Sequence, residues 1–228
     1  TGGAGTGKTS VLKCIIYCLK KLDYSIKNVA PTGKAARRMA QATCENAQTI
    51  HSFMYSDMAT TPKGAMIIDE SSMVDLELMY DLLSTMKLLP ANFKKLIIVG
   101  DDGQLPSVGA GSVLKDLIES KVVKHVHLTH TFRQANGGNI WDVANSIRNN
   151  ETFSFMKKAD FYCREAKTKD EFISYIMYFY ENLKERYTVL EKFYQECQLV
   201  IPMKKGEIGV TAINDLIKEK YADQFKTP

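Results

Sequence analysis

The chain opens TGGAGTGKTS, in which Gly2, Gly7, Lys8 and Thr9 satisfy the spacing G-x-x-x-x-G-K-[ST]. Glycines at 2, 3, 5 and 7 allow backbone angles closed to other residues, so successive N–H groups can turn inward around a phosphate. The expected cradle is Gly3, Ala4, Gly5, Thr6, Gly7, Lys8, Thr9 and Ser10. Lys8 would reach the outer phosphates, and the Thr9 hydroxyl would ligate Mg²⁺. The plainer alternative is a glycine-rich turn that happens to contain Lys-Thr. It is disfavoured by the apolar SVLKCIIYCLKKL directly behind it, which reads as a helix burying Val11, Leu12, Ile15, Ile16 and Leu19.

Three later positions could complete phosphate chemistry. In MIIDESS, Asp69 and Glu70 close an apolar run. One carboxylate there can hold Mg²⁺ and its neighbour can deprotonate a water; alone, the pair could equally be solvated acids at a strand exit. In IIVGDDGQLPSVGAG, Gln104 offers a neutral amide that can sense a γ-phosphate without competing for a metal, or it is an ordinary polar turn. In HLTHTFRQ, Arg133 could stabilise charge spreading in a transition state. In isolation an arginine after a strand reads better as a surface ion pair.

The elements that must position these groups alternate along the first half of the chain. IKNVAPT, AMIIDE, KKLIIVGD and VVKHVHLT read as strands. GKAARRMAQAT, VDLELMYDLLSTM and SVLKDLIES read as the helices between them. Short apolar strands separated by amphipathic helices predict an α/β fold with a parallel sheet covered by helices on both faces. Ligands of such sheets sit at the C-terminal strand ends, where every candidate motif falls. From about Gly137 the texture changes. NIWDVANSIRNN, KDEFISYIMYFYENLKERY and VTAINDLIKEKY read as helices, and CQLVIPM as a strand. The aromatics of the long helix read as core packing rather than base stacking. The expected division is a first domain over 1–135 and part of a second over 136–228.

Composition sets the outer bounds. The chain has 228 residues, is 45% hydrophobic and carries a net charge of +4, which permits a polyanionic partner without requiring one. No apolar run approaches the ~20 residues of a membrane span. Cysteines number five, and their spacing is not a metal pattern. Cys14 and Cys18 are expected to pack into the core, and the set reads as reduced thiols in a cytoplasmic setting. His125, His127 and His130 lack a ligand set and read as structural.

The ordered series GGAGTGKT, APTGKAARRM, TIHSFM, IIDESSMVD, VGDDGQLPSVGAGSVLKDL, LTHTFRQ and VIPMKKGEIGVTAIN resembles the RecD/TraA family of superfamily 1 helicases. The resemblance covers most of the chain. It implies a motor of two RecA-like domains with ATP between them, translocating 5′ to 3′ on single-stranded DNA in repair or recombination. It also implies repair or conjugation subunits as further candidate partners. By the same resemblance Lys8 and Thr9 contact phosphate and Mg²⁺, and Asp69 and Glu70 bind metal and activate water. Gln104 would couple the γ-phosphate to DNA, and Arg133 would be an arginine finger. DNA contacts are implied for Pro31, Thr32, Lys34, Thr49 and His51, and for Pro106, Ser107 and Val108. Arg37 and Arg38 read as either a solvated helix face or DNA contacts.

The family pattern has a strand before the phosphate loop and further motifs downstream that have no counterpart here, and between His51 and Asp69 a longer hairpin that is either reduced here or missing from the sequence. The chain is therefore expected to be a fragment of a longer protein, unable by itself to unwind duplex DNA. Two other classes stay in view. One is a nucleotide- or DNA-binding fragment without turnover. The other is a different phosphate-loop enzyme, although no N-K-x-D guanine motif is present and a small-molecule kinase would not account for Gln104 or FRQ.

Overall fold

An apolar run becomes a strand only when neighbours supply hydrogen bonds along it. In the computed structural model, which describes residues 1–56, 63–88, 93–131, 139–152, 161–188 and 190–221, four such runs find partners. They are β1 (Ser25–Ala30), β2 (Ala47–Thr49), β3 (Gly64–Ile68) and β4 (Phe93–Ile98), in the order β2-β1-β3-β4 and all parallel. The chain divides into two compact units, Thr1–Phe161 and Tyr162–Pro228, and the sheet belongs to the first.

Both faces of this sheet are covered. Ala65 and Ile67 of β3 pack against Leu12, Ile16 and Leu19 of α1 (Lys8–Lys21) and Met39 of α2 (Gly33–Thr43). Met66 and Ile68 point the other way, toward Ile50 and Phe53 of α3 (Ile50–Met54) and Met79 and Leu82 of α4 (Leu76–Leu88). The period-two alternation of one buried strand thus feeds two cores, the arrangement of a RecA-like α/β domain. α5 (Val113–Ser120) and α6 (Asn139–Arg148) are the remaining α-helices among the described residues of this unit.

The helices begin where local chemistry lets them. The Thr32 hydroxyl accepts the Ala35 N–H at 3.2 Å and starts α2, and Thr49 accepts from Ser52 at 3.0 Å and starts α3. Lys20 and Lys21 place positive charge in the last turn of α1, where exposed carbonyls favour it.

Four expectations are corrected. Val11 of α1 is exposed rather than buried. Cys14 and Cys18 are exposed rather than packed. At 100° per residue they lie two steps from the buried Leu12 and Ile16, on the far side of α1. VVKHVHLT is not a strand: its sole pairing among the described residues is an isolated parallel bridge from Leu128 to Gly2. The Leu128 N–H donates to Thr1 O at 2.8 Å, and the Thr1 amino group donates to Val126 O at 2.7 Å. Between these residues and β4 lies an apolar trough of about 580 Å³, so the segment has no ladder to join. CQLVIPM is also irregular. No described strand of its unit offers it a partner, and Pro202 has no N–H to give.

The second unit holds α7 (Lys169–Lys184), α8 (Leu190–Glu196) and α9 (Val210–Lys220). Thr168 caps α7 by accepting the Glu171 N–H. Tyr180 meets Phe193 edge-on at 5.2 Å and stacks on Tyr221 at 5.0 Å, so one aromatic of the helix packs on its neighbours, while Tyr178 and Phe179 are exposed and only Met177 of α7 is buried. No described helix is long and apolar enough to cross a membrane.

Candidate active site

The phosphate loop turns back on itself through Gly5 and Gly7, at φ 77° and 84°, and Gly7 is the left-handed cap from which α1 starts. Only glycine adopts that pair of values without a steric cost. Thr6 steadies the turn by donating its hydroxyl to Gly3 O at 2.9 Å. Lys8, first residue of α1, folds its ammonium back over the loop and donates to Gly2 O and Gly3 O at 2.7 and 2.8 Å. The same nitrogen stands 3.9 Å from Asp101 Oδ2.

Asp69 and Glu70 follow β3. The Asp69 N–H donates to Val29 O, which continues the ladder one residue past the strand. Asp69 then accepts the Glu70 N–H on Oδ1 at 2.9 Å. Glu70 is left-handed, at φ 52° and ψ 39°, a conformation costing an ordinary residue roughly 1–2 kcal/mol. That twist breaks the strand alternation and lets both carboxylates face one cavity. Burial lifts the Asp69 carboxyl above its ordinary value, with the Glu70 N–H and Lys8 opposing. Burial also lifts Glu70, and the Asp69 charge adds to it, while Lys8 and Arg38 pull the other way.

Gln104 sits in the loop after β4. Its N–H donates to Asp101 O at 3.2 Å, and the Gly103 N–H donates to Asp101 Oδ1 at 3.0 Å. Lys8, Thr9, Asp69, Glu70 and Gln104 all line one cavity of about 760 Å³, together with Ala4 to Gly7 and Arg38. Its walls come from the segments after β3 and β4, the start of α1 and the second half of α2, four places apart in sequence. Such a cavity can hold a polyphosphate against backbone N–H groups and a cation, with carboxylates beside it to hold a metal and accept a proton.

The AAA domain family model matches residues 1–166, most of the chain. The chain belongs to the AAA domain family. Its relatives there are RecD-like. It is 33% identical over 159 residues to the ATP-dependent RecD2 DNA helicase of Deinococcus radiodurans, covering 66% of this chain and 21% of that protein. It is 32% identical to the RecBCD enzyme subunit RecD of Haemophilus influenzae, covering 56% of this chain and 24% of the relative. For the RecBCD enzyme subunit RecD of Mycolicibacterium smegmatis the identity is 32%, over 65% of this chain and 32% of the relative. The chain thus spans between a fifth and a third of the length of these relatives.

In this AAA domain the other expected residues fall in separate places. Ser10 is exposed and does not line the cavity. Arg133 lies outside the described residues. Ala30 of β1 pairs in register with Thr49 of β2, so Pro31, Thr32 and Lys34 leave the sheet beside Thr49 and His51. Lys34 and His51 are exposed, whereas the Thr32 and Thr49 hydroxyls are engaged as helix caps. Pro106 and Val108 are exposed on the loop after Gln104, and Ser107 donates its hydroxyl to Gly111 O at 2.8 Å. His125 and His127 bond the Thr1 hydroxyl, and no described group of His, Cys, Asp or Glu forms a metal cluster.

Sequence reasoning missed Asp101 and Arg148. Asp101 stood inside the motif that supplied Gln104, and its burial at 4% exposure marks it out. Arg148 carries no local signal and reaches the site only through the fold.

Proposed function

We propose that the chain is the nucleotide-hydrolysing part of an ATP-dependent DNA motor. The observation that carries this reading is the convergence of Lys8, Thr9, Asp69, Glu70 and Gln104 on one cavity at the sheet's C-terminal edge. Lys8 leaves its loop carbonyls for the outer phosphates of ATP, and the loop N–H groups hold the inner ones. Glu70 accepts a proton from the attacking water, a role its lifted pKa suits. Gln104 reads the γ-phosphate, and Arg133 supplies a second cation there. The donors fit Mg²⁺: the Thr9 hydroxyl and the Asp69 carboxylate are hard oxygens on one cavity, and Mg²⁺ takes one or two carboxylates plus substrate phosphates rather than an all-protein cage. When bound, the ion neutralises phosphate charge.

Single-stranded DNA is the proposed track, contacted by Lys34 and His51 beyond neighbouring strand ends and by the Pro106–Val108 loop. Translocation 5′ to 3′, a role in repair or recombination, and association with other subunits of a RecBCD-like or conjugation assembly are part of the same proposal. The names of the relatives support helicase chemistry and, for RecD, a multi-subunit enzyme. We read the second unit as the beginning of a second motor domain. The deciding experiment is ATP turnover by the purified protein with and without single-stranded DNA. Stimulation by DNA supports the motor. Nucleotide binding with no turnover in either condition would replace it with a holding module.

A further inference from the structure

Arg148 ends α6, 44 residues beyond Gln104 in sequence, yet its guanidinium lies against the phosphate loop. Nη1 stands 3.6 Å from Asp101 Oδ1, and Nη2 donates to Asp102 Oδ2 at 3.3 Å. Two glycines make room for it. A methyl group on Gly3 would sit 3.2 Å from Nη1, and one on Gly103 would fall 2.5 Å from Cζ, inside the guanidinium's own volume. The slot therefore has the phosphate loop on one wall and the glutamine loop on the other.

Asp101 sits where these two cations meet. Its side chain is 6% exposed, with Arg148 beside Oδ1 and the Lys8 ammonium 3.9 Å from Oδ2. It also shapes the loop that carries Gln104, accepting the Gly103 N–H on Oδ1 and the Gln104 N–H on its carbonyl. Without a second cation, this buried carboxylate would hold Lys8 more strongly and compete with an incoming phosphate for it.

We propose that Arg148 is a positioning residue of the phosphate site, which fixes Asp101 and Asp102 so that Lys8 is free to engage the γ-phosphate and Gln104 is presented to it. The proposal rests on the ATP-hydrolysis reading. Its effect is greatest at the outermost phosphate, which Lys8 and Gln104 both engage, and smaller at the inner phosphates, which the loop N–H groups also hold.

The test uses the full-length protein with Arg148→Gln, Arg148→Lys, Gly103→Ala and the Arg148→Gln/Gly103→Ala double variant. Turnover is measured together with binding of fluorescent ADP and of a slowly hydrolysed γ-thio ATP analogue. Arg148→Gln is expected to lower kcat about tenfold or more and to weaken the γ-thio analogue clearly more than ADP. Arg148→Lys restores part of both losses. Gly103→Ala, which displaces the guanidinium without removing its charge, reproduces Arg148→Gln, and the double variant is no worse than either. Wild-type kcat in Arg148→Gln overturns the proposal. So does equal loss of ADP and γ-thio analogue with a lowered Tm, which a merely structural strut would give, and so do multiplying effects in the double variant. A wild-type protein that neither binds nor hydrolyses ATP overturns the underlying reading instead.

Discussion

The Lys8 ammonium stands 3.9 Å from the Asp101 carboxylate while donating to the carbonyls of Gly2 and Gly3. The lysine that the phosphate-loop pattern assigns to substrate is thus held by the protein itself, with three oxygens around it. A polyphosphate must outcompete those oxygens, and it can, because it carries several negative charges. Lys8→Ala is expected to cut ATP turnover by roughly 10²–10³-fold, the loss typical of one fixed charge-stabilising donor. Far-UV circular dichroism should stay unchanged, since Lys8 anchors no core contact. A variant that has lost its helix content would show instead that the ammonium holds the loop together.

Glu70→Gln separates chemistry from stability. Turnover should fall roughly 10²–10⁴-fold, as for loss of a general base, with nucleotide binding retained. Burial lifts Asp69 above 3.8 and Glu70 above 4.5, so the folded chain holds these protons more tightly than the unfolded chain does. Their contribution favours the fold below those ordinary values and is lost as pH rises through the lifted ones. Glu70→Gln should therefore raise Tm at neutral pH, and the gain should shrink as pH falls into the ordinary carboxylate range. A gain that is the same at both pH values would contradict the burial of this pair.

The two threonines at neighbouring strand ends have a measurable structural role. Thr32→Ala and Thr49→Ala should each cost about 1 kcal/mol in urea unfolding, because each leaves a first-turn N–H without its acceptor. Serine at either position should recover most of the loss. Full stability in the alanine variants would mean that water caps these helices equally well.

Phe53 is fully buried, and its ring meets Phe93 edge-on at 6.2 Å on the α4 side of the sheet. Phe53→Ala should cost about 3–5 kcal/mol, enough to unfold a marginal domain. Phe53→Leu, which keeps most of the volume, should be clearly milder in the same denaturation experiment.

Exposed thiols on α1 give a direct check of the helix's orientation. Cys14 and Cys18 should react with a maleimide in the native chain, and serine at either should shift stability by no more than about 0.5 kcal/mol. Protection from the maleimide until urea is added would turn α1 around.

The phosphate loop, the paired acids and the glutamine loop were legible because each is a short local pattern whose chemistry does not depend on distant residues. The helix GKAARRMAQAT was legible from end to end, since Thr32 supplies a start signal within the sequence itself. Ala47–Thr49 was not, because three residues are too few for alternation to register. Cys14 and Cys18 were misread because an apolar stretch around a cysteine does not say which side of the helix it occupies.

By itself, the sequence determined which residues are candidates for the site, the alternating α/β order and the position of those candidates after strands. These follow from propensity, periodicity and turn chemistry, which act over a few residues. Only the tertiary structure decided that 122–129 and 197–203 lack a ladder, since a strand needs a partner that its own residues cannot provide. It likewise decided that Glu70 turns left-handed to share a cavity with Asp69. Only the fold, too, put Arg148 in the slot between Gly3 and Gly103, where a contact spanning more than a hundred residues depends on how helices and loops close around the sheet.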